Sequence, residues 1–195
     1  AAARRGDRQL AVAVTNQAWW SHPADPSVLG VLVAQYRAQG NLTDAIAFQR
    51  MLVATDPSNP VYWHSLGFDY QAFLLTDSAF SAYDTAVRLG HLPITYLNRG
   101  ALWRCVGRLD KATADWTLAT REAPAGVLVN ARRNLGIALL ESGRFRDAAA
   151  EFRLAEKSGM RLGPALNSRR CEKLAELEPE LPNFVAGQSK ADDPG

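Results

Sequence analysis

The chain has 195 residues, 47% of them apolar and 22% charged, a globular composition too apolar for a chain that stays disordered throughout. Its 22 Lys and Arg against 20 Asp and Glu leave a formal charge of +2, which creates no field to draw nucleic acid or an anionic surface. No apolar run approaches the roughly 20 residues of a membrane span, and two Cys with three His exclude a dense disulfide framework.

In chain order, residues 6–25 read as the second helix of a helical hairpin, with Gly6, Ala11, Ala18 and Pro23 as its markers. Residues 26–59 read as a full hairpin. Its first helix carries Val33 and Tyr36, its turn Gly40, and its second helix starts at Asn41 or Thr43 and stops at Asp56-Pro57. Residues 60–93 repeat the scheme with Trp63, Leu66, Gly67 and Tyr70 at the 3-and-4 spacing of an amphipathic helix, then Ala79 and Tyr83. Residues 93–126 repeat it with Gly100, Trp103, Gly107, Ala112 and Trp116, and 129–162 with Leu135, Gly136, Gly143, Ala148 and Phe152. The link at 122–127 is longer than the others. Residues 163–178 suit a solvating capping helix, and 179–195, rich in Pro, Gly and charge, suit a mobile tail.

The period is the strongest signal. Gly67, Gly100 and Gly136 are 33 and 36 residues apart, and Ala45, Ala79, Ala112 and Ala148 keep the same beat. A Gly or Ala where two helices cross lets their backbones approach, and an aromatic beside it fills the remaining wedge. Gly40, Gly107 and Gly143 recur at the turn, where glycine suits a left-handed helix end. Leu74 stands in the one vacant place of that column, so the turn of the 60–93 hairpin is expected to be packed more tightly or shaped differently.

At Trp63, Leu66-Gly67, Tyr70, Ala79, Tyr83 and Ala86 the chain resembles the tetratricopeptide repeat family. The resemblance implies an all-α, right-handed solenoid of helical hairpins: about four full repeats, a half-repeat and a capping helix. It also implies a concave groove, lined by the first helix of each hairpin, in which the family's ligands lie. Carried onto this chain, the groove-facing set is Arg37, then His64, Phe68 and Gln71, then Leu97, Ala101, Arg104 and Cys105, then Asn130, Arg133, Ile137 and Glu141. Arg37, Arg104 and Arg133 come from three repeats and would make a basic ladder for an acidic or carboxylate-bearing peptide, with Phe68 and Ile137 as apolar pockets. The competing reading is that arginines fall on a solvated face by chance. The family's two-carboxylate clamp for chaperone tails is not expected, since the equivalent places hold Gly30, Ala34, Ser65, Ile94 and Asn98.

The expected function is a non-enzymatic scaffold for a protein or peptide partner, with no cofactor, no metal, no nucleic acid and no membrane insertion. Two alternatives stand beside it. One is a docking or regulatory module cut from a larger enzyme such as a kinase or glycosyltransferase, which the missing Met and the short first hairpin would fit. The other is self-association through the half-repeat, whose Val12, Trp19 and Trp20 lack their usual cover. No catalytic constellation is visible around His22, His64 or His91. Cys105 and Cys171 are too far apart along the array for a bridge and are expected to be packed thiols, which favours a cytoplasmic, reducing compartment while leaving periplasm or export open. Arg5-Gly6-Asp7 spells an adhesion tripeptide and Asn41-Leu42-Thr43 a glycosylation sequon, but both fall where hairpin turns are expected. Arg99, at a position usually Leu in the family, is expected to pair with Asp115 rather than face the groove.

Overall fold

A computed structural model of the full chain describes residues 14–15, 17–163 and 168–177. The Arg5-Gly6-Asp7 turn, Gly6, Ala11 and Val12 of the half-repeat, part of the expected capping segment and the whole of 179–195 lie outside the described residues.

The described residues are helical, with no strand among them. Helix α1 is seen at residues 14, 15 and 17–21. It is followed by α2 (Pro26–Ala38), α3 (Leu42–Thr55), α4 (Pro60–Ala72), α5 (Thr76–Leu89), α6 (Pro93–Cys105), α7 (Leu109–Ala119), α8 (Ala125–Glu141), α9 (Phe145–Lys157) and α10 (Ser168–Leu177). Successive helices pair as hairpins, α2 with α3, α4 with α5 and α8 with α9, and α10 packs on α9. The fold is the expected all-α solenoid of helical hairpins.

Local chemistry sets the ends. Asp25 and Asn59 accept from the backbone N–H of Ser27 and Val61, each just ahead of a helix that begins with proline. Asn41 caps α3, its side-chain oxygen accepting from the Asp44 N–H at 3.3 Å, and Asp56 follows the last turn. The sequon asparagine is therefore a helix cap. Helix α8 begins at Ala125 rather than at residue 129, and the longer link holds Glu122 at φ 53°.

The expectation for Leu74 is corrected. Its φ of 61° matches the 73–75° of Gly40, Gly107 and Gly143, so the turn keeps the shape of its neighbours. The Leu75 N–H reaches the Tyr70 carbonyl as the Asn41 and Arg108 N–H groups reach Tyr36 and Trp103. The hydrogen-bonded turn prevails over the cost of placing a side chain in the left-handed region.

The chain divides into two compact units, Ala1–Thr95 and Tyr96–Gly195. In the first unit Tyr83 is fully buried, and a Cβ on Gly67 would lie 2.7 Å from its ring. In the second, Trp116 and Phe152 are buried against Gly100 and Gly136, where a Cβ would lie 2.7 and 2.6 Å from the rings. The Trp116 indole N–H donates to the Leu97 carbonyl at 3.0 Å. The hairpin α2–α3 inverts this pairing: Val33 takes the glycine place and Gln49 the aromatic place, both buried, and the Gln49 amide donates to the Tyr62 carbonyl. Ala45, Ala79, Ala112 and Ala148 are all fully buried.

Arg99 meets Asp115 as expected. Its Nε and one terminal nitrogen donate to the two carboxylate oxygens at 2.8 and 2.6 Å, and both side chains are largely buried.

Candidate functional site

In the first unit the expected face lies on α2 and α4. Arg37, in the last turn of α2, reaches α4 and donates to both Asp69 oxygens at 2.5 and 2.7 Å and to the Ser65 carbonyl at 3.2 Å. Asp69 is 1% exposed, so this arginine is already committed to a buried charge. Its guanidinium also lies 6.0 Å from the Phe68 ring centroid, and Phe68 stays 49% exposed. Gln71 accepts from the buried Tyr83 hydroxyl at 2.8 Å, and burial raises that phenol's pKa. His64 Nδ1 sits 3.0 Å from the Thr95 hydroxyl, and its ring 5.8 Å from Tyr83. Burial, reinforced by the Arg37 charge, pushes the His64 pKa down to about 4, so the imidazole is neutral at ordinary pH.

In the second unit the face is carried by α6 and α8. Arg104 donates to both oxygens of Glu141 at 3.1 and 2.5 Å, and both side chains remain substantially exposed. This pair holds the Arg104 guanidinium charged even more firmly than usual. Arg104 and Ile137 border a hollow of about 200 Å³ together with Ala101, Cys105 and Asn134, floored by Trp116. Arg133 donates to the Asn134 side chain at 3.3 Å, while its buried Nε has no partner among the described residues. The Asn130 amide donates to the Gly126 carbonyl within α8.

Two expectations change. Leu97 is 8% exposed and belongs to the core beneath Trp116 rather than to a ligand-facing surface. Cys105 is exposed at the end of α6, and only Cys171 is a packed thiol; both are free. The carboxylates opposite the arginines were missed or misread in the sequence. Asp69 gives no sign that it is turned inward, and Glu141 looks like one more groove residue rather than the partner of Arg104. Among the described residues no group of three His, Cys, Asp or Glu is placed to hold a metal ion, and no helix is long and apolar enough to cross a membrane.

Paired antiparallel helices, a glycine buried under an aromatic and a turn in the left-handed region define a helical-hairpin repeat protein. The chain has the tetratricopeptide-repeat fold. It is similar to the crystal structure of MamA at 21% identity and a TM-score of 0.70, covering 80% of this chain and 91% of that one. It is similar also to PilW, described as a type IV pilus biogenesis factor, at 18% identity and a TM-score of 0.69, covering 92% and 88%. A third likeness is to TTC0263, a tetratricopeptide-repeat protein of Thermus thermophilus, at 23% identity and a TM-score of 0.61, covering 89% and 93%. No protein-family model and no curated protein matches the sequence.

Proposed function

We propose that the protein is an interaction scaffold that binds a peptide segment of a partner protein on the first-helix faces, without catalysis. The observation that carries this reading is the hollow between α6 and α8, with an apolar side chain, an amide and an exposed Arg–Glu pair on its rim. Preformed helices lower the ordering cost of capturing an extended segment. The fold fits the reading: among similar structures, YrrB is described as a tetratricopeptide-repeat protein with an unusual peptide-binding site, at 16% identity and a TM-score of 0.62.

The preference for acidic segments rests on Arg104 and Arg133 rather than on Arg37, whose charge is consumed by Asp69. Glu141 is exposed enough for an incoming carboxylate to displace it. Fluorescence anisotropy with a series of labelled acidic peptides tests this. Arg104→Ala should weaken binding and Glu141→Gln should tighten it, because a neutral amide competes less strongly than a carboxylate for the guanidinium. Equal affinity in both variants would sink the reading, and added salt should mimic Arg104→Ala.

A second reading, self-association, is favoured by Trp20, which is 77% exposed beside the packed Trp19. Sedimentation of the full chain and of Trp20→Ser decides it: a dimer lost in the variant supports it, and a monomer at all concentrations removes it.

A further inference from the structure

On the second-helix side of the first unit lies a groove of about 590 Å³. Its walls come from α3 and α5 and its floor from α4. The floor is apolar: Leu66, buried in a cluster with Val53 and Ala82, and Trp63 and Tyr70 packed against that cluster. On the α5 wall the side chains are small, Ser78 and Ser81, and this is why the groove stays open.

The charges on the two walls are opposite. Arg50 stands on α3 and Asp77 in the first turn of α5, and neither forms an ion pair among the described residues. The repeat itself shows what an arginine at this place can hold. Arg153 stands five residues after Ala148 on α9, as Arg50 stands five after Ala45 on α3. Arg153 forms an ion pair with Glu172 of the following helix, α10. The helix that follows Arg50 presents Trp63, Leu66 and Tyr70 to the groove instead of an acid.

A second feature lies in the same hairpin. Between Tyr70 and Asp77, both lining the groove, the chain turns through Phe73, Leu74 and Leu75, which are 45%, 86% and 42% exposed. Three consecutive exposed apolar residues, the middle one at φ 61°, are unfavourable for a turn that has only solvent to meet.

We propose that this groove is a docking site for an amphipathic segment of a partner protein, distinct from the first-helix faces. The segment places an apolar side chain on Trp63 and Tyr70, a carboxylate on Arg50 and an amine on Asp77. The apolar contact supplies affinity, and the opposed charges fix the direction in which the segment lies.

The test is selection of a displayed random-peptide library on the full chain after clearing on Ser81→Trp, which removes peptides held by the first-helix faces, followed by affinity measurement of the enriched peptides as synthetic compounds. The enriched peptides should carry an apolar anchor flanked by an acid. Ser81→Trp, which fills the groove from an exposed position, should abolish their binding while leaving helicity unchanged. Arg50→Glu should weaken the acid-bearing peptides about tenfold or more, and Arg50→Gln less. Phe68→Ala and Arg104→Ala, on the other faces, should have no effect, so failure here and failure of the first-helix reading are told apart. Peptides that bind Ser81→Trp at full strength overturn the proposal, as does a selection that enriches nothing. Self-association of the wild type that Ser81→Trp abolishes overturns the partner assignment in favour of a second copy of this chain.

Discussion

At the scale of single residues, space and charge decide. A methyl group on Gly100 has no room: its carbon would lie 2.7 Å from a Trp116 indole that is 1% exposed and held by a hydrogen bond to Leu97. Gly100→Ala is therefore expected to cost about 1–3 kcal/mol in urea unfolding, and Trp116→Gln in the same chain should return part of it, since Val33 with Gln49 already solves the crossing that way. Additive losses in the double variant would refute this account. Leu74 predicts the opposite sign. Its side chain is 86% exposed and its φ is 61°, so Leu74→Gly removes a conformational cost of about 1–2 kcal/mol and adds a smaller unfolded-state entropy. A net gain of about 0.5 kcal/mol should appear in the urea midpoint, and a loss would mean that the side chain packs on something. His64 sets a pH dependence. Its folded pKa of about 4 lies below the ordinary 6.5, so the unfolded chain takes the proton first and stability falls as pH drops from about 6.5 to about 4. His64→Gln should flatten that stretch of the curve of unfolding midpoint against pH. A wild-type midpoint with no slope there beyond that of the variant would exclude a buried neutral imidazole.

At the scale of elements, two arginines brace neighbouring first helices with different consequences. Arg37 ties α2 to α4 through an Asp69 that is 1% exposed, while Arg104 ties α6 to α8 through a Glu141 that water reaches. Removing Arg37 strands a buried carboxylate, so Arg37→Ala should cost about 2 kcal/mol, less than a fully buried pair because the guanidinium is 31% exposed. Arg104→Ala should stay within about 1 kcal/mol. Calorimetry of both variants checks the contrast, and equal losses would contradict it. The hairpins themselves were legible in the sequence, because each depends on small residues at fixed intervals, and those intervals are visible without coordinates. Asp25-Pro26 and Asn59-Pro60 likewise announce their helix starts. The pairing of faces was less legible. Arg99 with Asp115 could be read because both flank the crossing positions Gly100 and Trp116. Arg37 with Asp69 could not, since the partner lies one repeat away and depends on how adjacent hairpins pack. Leu74 misled for another reason. A leucine at a glycine place suggested an altered turn, but backbone hydrogen bonds outweigh the side chain's preference.

At the scale of the whole molecule, each hairpin is built from helices adjacent in the chain. Folding therefore closes short loops, and stopped-flow refolding of the major phase is expected on the order of milliseconds or faster. A dominant phase of seconds that prolyl isomerase does not accelerate would show that distant segments must meet first. The groove between α3 and α5 was illegible for a related reason: no motif marks it, and only serines at 78 and 81 beside Trp63 and Tyr70 hint at it. The glycine–aromatic crossings have a consequence for how such a chain can vary. Every residue other than glycine brings a Cβ, so Gly67, Gly100 and Gly136 have no chemically similar neighbour to drift toward, and any single replacement at these sites meets the partner ring. Variation must pass through the partner ring, with the aromatic shrinking before the glycine grows. The hairpin holding Val33 and Gln49 carries the other combination, a larger residue at the glycine place and no ring at the aromatic place, while Gly67, Gly100 and Gly136 keep their glycines.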